Sequence, residues 1–230
     1  MFYGYKTEGV FATDAEAAAA GKGGYLYLTD ATGAHQSFRA GDVHFTDLNG
    51  DGEISEKDKT IIGNPNPDIY GNIFATLTWK NLTLNVGFNY SLGNDIFNYQ
   101  RSLLEGGFNF YNQTTAMTNR WRSEGQQTDM PRISFEDPMG NSRFSDRWIE
   151  DGSYLRLKTV NLTYKVPVPG TWTWLQGLAV WAEANNLFTL TRYLGNDPET
   201  SVANAVLYQG IDAGNIALGH TFTMGLRINL

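Results

Sequence analysis

Residues 47–58 carry oxygen-bearing side chains at the spacing of a twelve-residue calcium loop. Carboxylate and carboxamide oxygens at alternate positions of such a loop point inward, where they surround one hard cation. Gly52 fills the sixth position, where the sharp turn requires glycine, and Asp58 replaces the glutamate that usually fills the twelfth. The predicted ligands are Asp47, Asn49, Asp51, the carbonyl oxygen of Glu53, and Asp58.

This loop predicts a structural Ca²⁺ that stiffens a surface segment. The loop is single and follows no clear helix, unlike the paired loops of calcium sensors. The alternative is a polar turn rich in Asp, Asn and Gly that holds no ion. The matching positions at fixed spacing favour the ion over the empty turn.

Other patterns that carry chemistry are missing from the sequence. The histidines, His35, His44 and His220, fall in no metal-ligand spacing, and there is no cysteine to act as a nucleophile or thiolate ligand. No phosphate-binding loop, serine-hydrolase elbow or zinc-protease motif occurs. A net charge of −7 without a basic cluster argues against nucleic acid as a partner. The sequence therefore predicts a protein that is not an enzyme.

Alternation of apolar and polar residues begins at Tyr70 and predicts strands of membrane-spanning length. The first two strands are predicted over residues 71–79 and 82–91, with a tight turn at Lys80 and Asn81. Each is similar in length to the ~9–11 residues that cross a bilayer at a tilt. One face of the second strand carries only apolar or aromatic side chains, namely Leu82, Leu84, Val86, Phe88 and Tyr90.

Three further strands are predicted downstream. They cover residues 153–166, a segment from Leu178 onward, and residues 220–230. The first of them stops before Pro167, because proline cannot donate a hydrogen bond to a strand ladder. Trp172 and Trp174 follow at a predicted membrane interface, where tryptophan is enriched.

The connections at residues 93–150 and 194–219 are long and polar, too long for ordinary turns between strands. Membrane barrels have short periplasmic turns and long extracellular loops, so these two connections are predicted to be extracellular. The mean hydropathy of −0.35 does not argue against a membrane barrel, because its strands alternate lipid-facing and lumen-facing residues.

The amino-terminal part has a different character. Thr13 and Glu16 form a capping-box pattern that predicts a short helix ending at Gly21, and an extended segment is predicted over residues 24–29. The chain is therefore predicted to have an extracellular loop region at 1–69, with the calcium-type loop at 47–58, and carboxy-terminal barrel strands with extracellular loops at 70–230.

These features predict an all-β fold: a partial transmembrane antiparallel β-barrel of about five membrane strands with long extracellular loops and short helices. Two alternatives stay open. A soluble extracellular calcium-binding β-module would show similar alternation, and a small complete porin would need at least about eight strands. No plug domain and no signal peptide are found, so we expect the chain to depend on a missing amino-terminal part.

Several short segments between residues 41 and 230, in this order, resemble the SusC/RagA family of TonB-linked outer-membrane transporters. The most specific segment is Trp148–Lys158, which reads WIEDGSYLRLK. The other segments are residues 41–43, 47–52, 62–65, 67–68, 185–189 and 196–199.

The resemblance implies a barrel of about 22 strands with an amino-terminal plug, which imports glycans or peptides too large for porins. It implies a SusD-like surface lipoprotein as a lid and the TonB complex, acting through the missing amino-terminal part, as the energy source. It also implies a location in the outer membrane of a Gram-negative, Bacteroidetes-like cell, in contact with outer-membrane lipid. This chain would supply the carboxy-terminal part of such a barrel.

Overall fold

The structure is a computed structural model of the 230-residue chain, and it describes residues 1–171, 174–199, 201–202 and 206–230. Trp172, predicted to lie at a membrane interface, falls outside the described residues. The chain divides into two compact units, each built from three separate stretches of sequence. Unit 1 contains Met1–Pro65, Asp95–Glu150 and Ser201–Gly214, and unit 2 contains Asn66–Asn94, Asp151–Thr200 and Asn215–Leu230. The division predicted at residues 69 and 70, between extracellular region and barrel, stays a prediction.

The described part of the chain is mostly strands and loops with short helices. In chain order the strands are β1 (Phe2–Tyr5), β2 (Thr7–Val10), β3 (Tyr27–Thr29), β4 (His35–Ser37), β5 (Val43–Phe45), β6 (Lys59–Gly63), β7 (Ile69–Trp79), β8 (Leu82–Leu92), β9 (Asp95–Asn98), β10 (Ile149–Asp151), β11 (Tyr154–Val166), β12 (Gly177–Thr191), β13 (Ile211–Asp212) and β14 (Thr221–Asn229). The α-helices are α1 (Asp14–Ala20) and α2 (Tyr99–Glu105), and short 3₁₀ helices cover Glu56–Asp58, Thr115–Asn119, Asp146–Trp148 and Val206–Tyr208. Among the described residues, every helix is too short or too polar to cross a membrane.

Unit 2 is built on a five-stranded antiparallel sheet with the order β14-β12-β11-β8-β7. The predicted hairpin is confirmed: β7 and β8 pair along their whole length around a turn at Lys80, which adopts a positive φ of 51°. The strands predicted over residues 153–166 and 220–230 are confirmed as β11 and β14. The strand predicted from Leu178 is confirmed as β12, which begins one residue earlier.

The apolar positions of all five strands fall on one face of this sheet. Cross-strand pairing aligns Ala75, Val86, Val160, Ala184 and Phe222 in one row across the sheet. Because side chains alternate along each strand, the rows two residues away share that face. We call this surface the apolar face; its larger side chains are Ile73, Leu77, Trp79, Leu82, Leu84, Phe88, Tyr90, Leu155, Leu157, Leu162, Tyr164, Leu178, Val180, Phe188, Leu190, Met224, Leu226 and Ile228.

A β-bulge keeps the apolar face in phase on β11. The register shifts between Leu157 and Thr159 against both neighbouring strands, so Lys158 has no partner in the register. The matching irregularity on β12 lies at Asn186, which adopts a positive φ of 55°. A one-residue slip would move apolar side chains to the opposite face, and the extra residue corrects that slip. The prediction of one regular strand over residues 153–166 did not include this bulge.

The opposite surface of the sheet, which we call the polar face, carries a hydrogen-bonded row. Thr76 donates to the Asn85 carboxamide oxygen at 2.8 Å. Glu183 accepts hydrogen bonds from the Asn161 and Asn185 side chains at 3.0 and 2.9 Å. One carboxylate is therefore held between two amides, and hydrogen-bonded side chains occur on both the β7–β8 and the β11–β12 pairs.

Two aromatic rings on the polar face lie against glycines of neighbouring strands. A Cβ atom on Gly87 would come within 2.6 Å of the Phe74 ring, and one on Gly225 within 2.7 Å of the Trp181 ring. Only glycine leaves room for rings this close to the backbone. Glycine at these two positions thus fixes where the rings lie on an otherwise polar surface.

Unit 1 is held by small sheets around one apolar cluster. Two-stranded sheets pair β1 with β6, β2 with β5 and β3 with β4, and a three-stranded sheet has the order β10-β9-β13. The predicted helix is confirmed as α1, with a capping box between Thr13 and Glu16. The predicted extended segment at residues 24–29 is confirmed in part, because β3 covers only Tyr27–Thr29. The buried cluster consists of Tyr5, Phe11, Ala17, Leu26, Leu28, Phe38, Val43, Phe45, Ile54 and Met139.

A buried carboxylate joins two distant stretches of unit 1. Asp42 is fully buried and accepts two hydrogen bonds from the Arg132 guanidinium, at 2.8 and 2.9 Å. It also accepts from the Asn141 side chain at 2.9 Å and from the Arg39 backbone N–H at 2.9 Å. Asn141 in turn accepts from the Val43 N–H at 2.8 Å. The buried Asp42 charge is therefore paired with a guanidinium and hydrogen-bonded at both oxygens, as burial of a charge requires.

Asp42→Ala should therefore destabilise unit 1 locally. The change leaves buried N–H donors without acceptors, and we expect the opening free energy of residues 38–43 to fall by about 2–4 kcal/mol. Hydrogen exchange on the folded protein measures this. Asp30→Ala, in an exposed turn, is the control and should leave these amides unchanged; equal protection in both variants would contradict the role given to Asp42.

Candidate functional site

The calcium-type loop lies between β5 and β6 in unit 1, and its last three residues form the 3₁₀ helix Glu56–Asp58. The N–H of Tyr27 donates to the Gly52 carbonyl at 3.1 Å, and the N–H of Ile54 donates to the Tyr27 carbonyl at 2.8 Å. Ile54 is buried in the apolar cluster. Gly52 has a φ of 85°, the left-handed backbone that the sharp turn requires. Ile54, the eighth residue of the loop, thus anchors the loop to β3.

The first three predicted ligands shape the loop through backbone hydrogen bonds. The two Asp47 oxygens accept from the N–H groups of Gly50 and Gly52, at 2.7 and 2.8 Å. Asn49 accepts from the Asp51 N–H at 2.8 Å, and Asp51 accepts from the Glu53 N–H at 2.9 Å. These are the side-chain-to-backbone turns that Asp and Asn favour. Each carboxylate oxygen keeps further lone pairs that a cation could use.

Asp58, at the predicted twelfth position, is fully buried and closes the loop. One of its oxygens accepts from the Leu48 N–H at 3.1 Å, and the other accepts from the Ser55 N–H at 2.8 Å. Among the described residues, no three Asp, Glu, His or Cys side chains form a group that could hold a metal ion. The oxygen donors suit a hard cation, but in this structure Asp58 serves the loop backbone, so the calcium site stays a prediction.

A second polar cluster lies in unit 2, on the polar face near the long-connection end of β11. Arg156 is 3% exposed. It donates to the Thr189 hydroxyl at 2.8 Å and to the Glu199 carboxylate at 2.6 Å, and it forms an ion pair with Asp197. Lys158 lies 3.6 Å from Glu199. We call Arg156, Lys158, Asp197 and Glu199 the strand-end ion cluster.

Backbone donors complete the environment of Asp197. The N–H groups of Glu199 and Leu218 donate to its two oxygens at 2.9 and 3.0 Å. Burial alone would raise the pKa of Asp197, but these donors and the Arg156 guanidinium outweigh burial and hold the pKa below its ordinary value. The cluster therefore ties both ends of the predicted 194–219 connection to β11 and β12.

The β12 bulge borders the same cluster. Asn186 donates from its side chain to the Gly219 carbonyl at 3.1 Å, and its own carbonyl contacts the His220 ring. A cavity of about 250 Å³ is lined by Arg156, Asn186, Asp197 and their neighbours. The cluster and bulge bring together three of the segments on which the family resemblance rests, at residues 148–158, 185–189 and 196–199. Sequence reasoning used these segments only as a likeness and assigned them no contacts.

His44 and Phe110 each pack against an aromatic ring. His44 stacks on Phe11 with ring centroids 4.3 Å apart, and burial lowers its pKa. In the 93–150 connection, Phe110 is 90% exposed and packs against Phe135 with ring centroids 4.9 Å apart. Tyr111 is also exposed. None of these groups forms a catalytic arrangement with its described neighbours.

Comparison with known proteins gives a consistent likeness. No protein-family model matches the chain. The chain is 36% identical to TonB-dependent receptor P3 of Formosa agariphila over an alignment of 233 residues. This alignment covers 99% of the chain and 22% of that receptor. The chain is 26% identical over 193 residues to TonB-dependent receptor SusC of Bacteroides thetaiotaomicron, which covers 80% of this chain and 17% of that protein. The chain thus spans about a fifth of the length of these relatives.

A solved structure shows the same fold. The RagAB peptide transporter aligns with a TM-score of 0.69 and 22% identity, covering 99% of this chain and 22% of that chain. These findings confirm the resemblance to the SusC/RagA family and the partial-barrel fold class, and the likeness places the protein in the outer membrane. The matched relatives are receptors and transporters, in agreement with the prediction that this protein is not an enzyme.

The strand-end ion cluster predicts a defined response to pH. Because the folded pKa of Asp197 is depressed, its contribution to stability is complete above the unfolded pKa, about 3.9, and is lost as pH falls through the lower folded value. Arg156→Gln removes the guanidinium while burial remains, so the anchoring of Leu218 should be lost at higher pH than in the wild type. Hydrogen exchange of residues 215–219 between pH 7 and pH 3, corrected for intrinsic rates, measures this.

Lys158→Gln is the matched control for that experiment. The Lys158 side chain is 32% exposed and lies 3.6 Å from Glu199, so its removal should change the opening free energy by less than about 1 kcal/mol. Identical pH profiles for Arg156→Gln and Lys158→Gln would show that Arg156 does not hold the connection.

Proposed function

Because the chain resembles SusC/RagA TonB-dependent receptors over nearly its whole length, we propose that it forms a carboxy-terminal wall segment of an outer-membrane importer. The observation that carries this proposal is the apolar face, which continues without interruption across five strands. A sheet that is apolar on one side and hydrogen-bonded on the other suits a wall between lipid and a polar lumen.

The strand lengths support a membrane wall. β7 and β8 each have 11 residues. At a rise of about 3.3 Å per residue and a tilt of about 45°, such strands span roughly 25 Å of depth, the height of the apolar band of a membrane barrel. Tight and short connections lie at one end of the sheet, and the 93–150 and 194–219 connections lie at the other. We assign the long connections to the extracellular side.

The two edges of the sheet indicate that further strands complete the wall. In the part of the chain that the structure describes, β7 pairs only with β8, and β14 pairs only with β12. Unpaired backbone groups along an edge are costly in lipid, where no water can replace the missing partner. We therefore propose that neighbouring strands of the same receptor pair with β7 and β14. The requirement for further strands beside β7 and β14 argues against a small complete porin. The likeness to receptors argues against a soluble calcium-binding module.

The working protein would bind a nutrient in the lumen and the extracellular loops and release it when the TonB complex displaces the plug. A SusD-like surface lipoprotein would act as its lid. The substrate class is a glycan or a peptide too large for porins, and the exposed loop aromatics Phe110 and Tyr111 would suit either class. Growth of a receptor-deletion strain on defined glycans and on peptide mixtures separates the two substrates.

A matched pair of neighbouring residues tests the wall assignment. Val86 lies on the apolar face and Asn85 on the polar face, near the middle of β8. Val86→Arg would place a charge in lipid at a cost of about 2–4 kcal/mol, whereas Asn85→Arg would place it in the lumen. We expect folded receptor in the outer membrane, and uptake, to fall with Val86→Arg and to be largely retained with Asn85→Arg. Equal assembly of both variants would contradict the proposal.

We also propose that residues 47–58 bind a structural Ca²⁺ through Asp47, Asn49, Asp51, the Glu53 carbonyl and Asp58. The donor chemistry and the left-handed Gly52 support this proposal. Binding would require the Asp58 carboxylate to face the ion as well as the Leu48 and Ser55 N–H groups that it now contacts.

Calorimetric titration of Ca²⁺ into the receptor, after a chelator has removed bound metal, tests whether residues 47–58 bind the ion. We expect one Ca²⁺ site with affinity in the range of about 10⁻⁴–10⁻³ M that is typical of extracellular modules. Asp51→Ala should abolish it, because Asp51 is a predicted ligand. Asp30→Ala, at another exposed turn, should retain it. No heat of binding at millimolar Ca²⁺ would leave the segment an ion-free polar turn.

A further inference from the structure

A shallow crevice of about 310 Å³ lies at the long-connection end of the five-stranded sheet. It is lined by Leu92, Leu155 and Leu190, one from each of three neighbouring strands, and by Asp151, Ser153 and Arg192. All of these residues belong to unit 2. The crevice is separate from the strand-end ion cluster, which lies on the polar face.

The strand register places the crevice on the apolar face. Leu155 pairs with Tyr90 on β8 and with Leu190 on β12, in a row that belongs to that face. Ser153 and Arg192 lie just beyond the ends of β11 and β12, two residues past Leu155 and Leu190, and they line the same crevice. At this end of the apolar face, the leucine side chains are therefore followed by the Ser153 hydroxyl and the Arg192 guanidinium.

The leucines and the guanidinium are accessible in the crevice. Leu92, Leu155 and Leu190 are 47%, 36% and 60% exposed, and Arg192 is exposed. In the part of the chain that the structure describes, the nearby ion pairs join Arg156 and Lys158 to Asp197 and Glu199, and Arg192 takes part in none of them.

Asp151 is the acidic group that faces Arg192. Its carboxylate accepts a hydrogen bond from the Ser153 N–H at 2.9 Å. Hydrogen bonds from Ser153 lower the pKa of Asp151, with a smaller electrostatic contribution from Arg192. The carboxylate is thus already hydrogen-bonded to Ser153, and the Arg192 guanidinium keeps donors for another anion.

We propose that this crevice binds a membrane lipid with a phosphate-bearing headgroup. An acyl chain lies on the three leucines, and the phosphate accepts hydrogen bonds from the Arg192 guanidinium. Arginine suits this role because its planar guanidinium binds phosphate through two parallel hydrogen bonds. Charge complementarity selects an anionic headgroup, and position on the apolar face selects a lipid rather than the transported substrate.

This inference rests on the membrane orientation given under the proposed function. With the long connections outside, the leucine-to-arginine row lies at the boundary between the acyl region and the headgroups of the outer leaflet. A bound lipid there would order the start of β11 and the end of β12, which also carry the strand-end ion cluster.

Native mass spectrometry of the complete receptor, exchanged into detergent with added phosphatidylglycerol or phosphatidylcholine, tests the site. We expect the wild type to retain phosphatidylglycerol in preference to phosphatidylcholine. Arg192→Gln should weaken phosphatidylglycerol binding roughly fivefold, the effect of about 1 kcal/mol for one basic residue at a membrane surface. Arg192→Lys should retain only part of the preference, because the charge is kept and the two parallel hydrogen bonds are lost.

Two controls locate the site. Arg227→Gln removes a charge on the polar face at the other end of the sheet and should leave lipid retention unchanged. Leu190→Ala should weaken both lipids alike, because it removes acyl contact and no charge. Equal retention of the two lipids by the wild type, or equal losses in Arg192→Gln and Arg227→Gln, would overturn the proposal. Uptake should persist in Arg192→Gln, so failure of the lipid site is distinguishable from failure of the importer function.

Discussion

The structure of unit 2 depends on one constraint: the apolar side chains of all five strands must lie on the same face of the sheet. A strand has a side-chain period of two, so a slip of one residue exchanges its two faces completely. In β11 the apolar residues Leu155 and Leu157 are out of phase with Val160 and Leu162, and the bulge at Lys158 returns all four to one side. Without that extra residue, half of the strand would place its polar side chains on the apolar face.

The same bulge determines where the charges lie. Because the phase is restored, Arg156 and Thr189 lie on the polar face, where Arg156 meets Asp197 and Glu199. On the apolar face an arginine in mid-membrane would cost about 2–4 kcal/mol. At the end of the apolar face, Arg192 follows Leu190 in the same phase and lies at the proposed headgroup level. The β11 bulge therefore explains the buried arginine on the polar face, whereas Arg192 follows the even spacing of Ala184, Phe188 and Leu190 on β12.

The sequence predicts the elements whose evidence is local. Strands β8 and β14 alternate without interruption and β7 alternates except at Phe74, and the structure confirms all three. The loop at residues 47–58 is recognisable in the sequence because all its predicted ligands lie within twelve consecutive residues. The bulge was missed, although the change of parity between Leu157 and Val160 was a signal for it. The pairing of Asp42 with Arg132 spans 90 residues and leaves no periodic pattern, and neither does the use of Asp58 to close its own loop.

The most direct test of this account measures which face of β8 meets lipid. This chain contains no cysteine, so single cysteines can be placed in turn at positions 83–89 of a complete receptor whose cysteines elsewhere have been replaced, in isolated outer membranes. A small water-soluble maleimide should label positions 83, 85 and 89 and should leave 84, 86 and 88 protected, because the first set faces the lumen and the second faces acyl chains. Uniform labelling, or labelling of the even positions instead, would contradict the assignment of the apolar face to lipid.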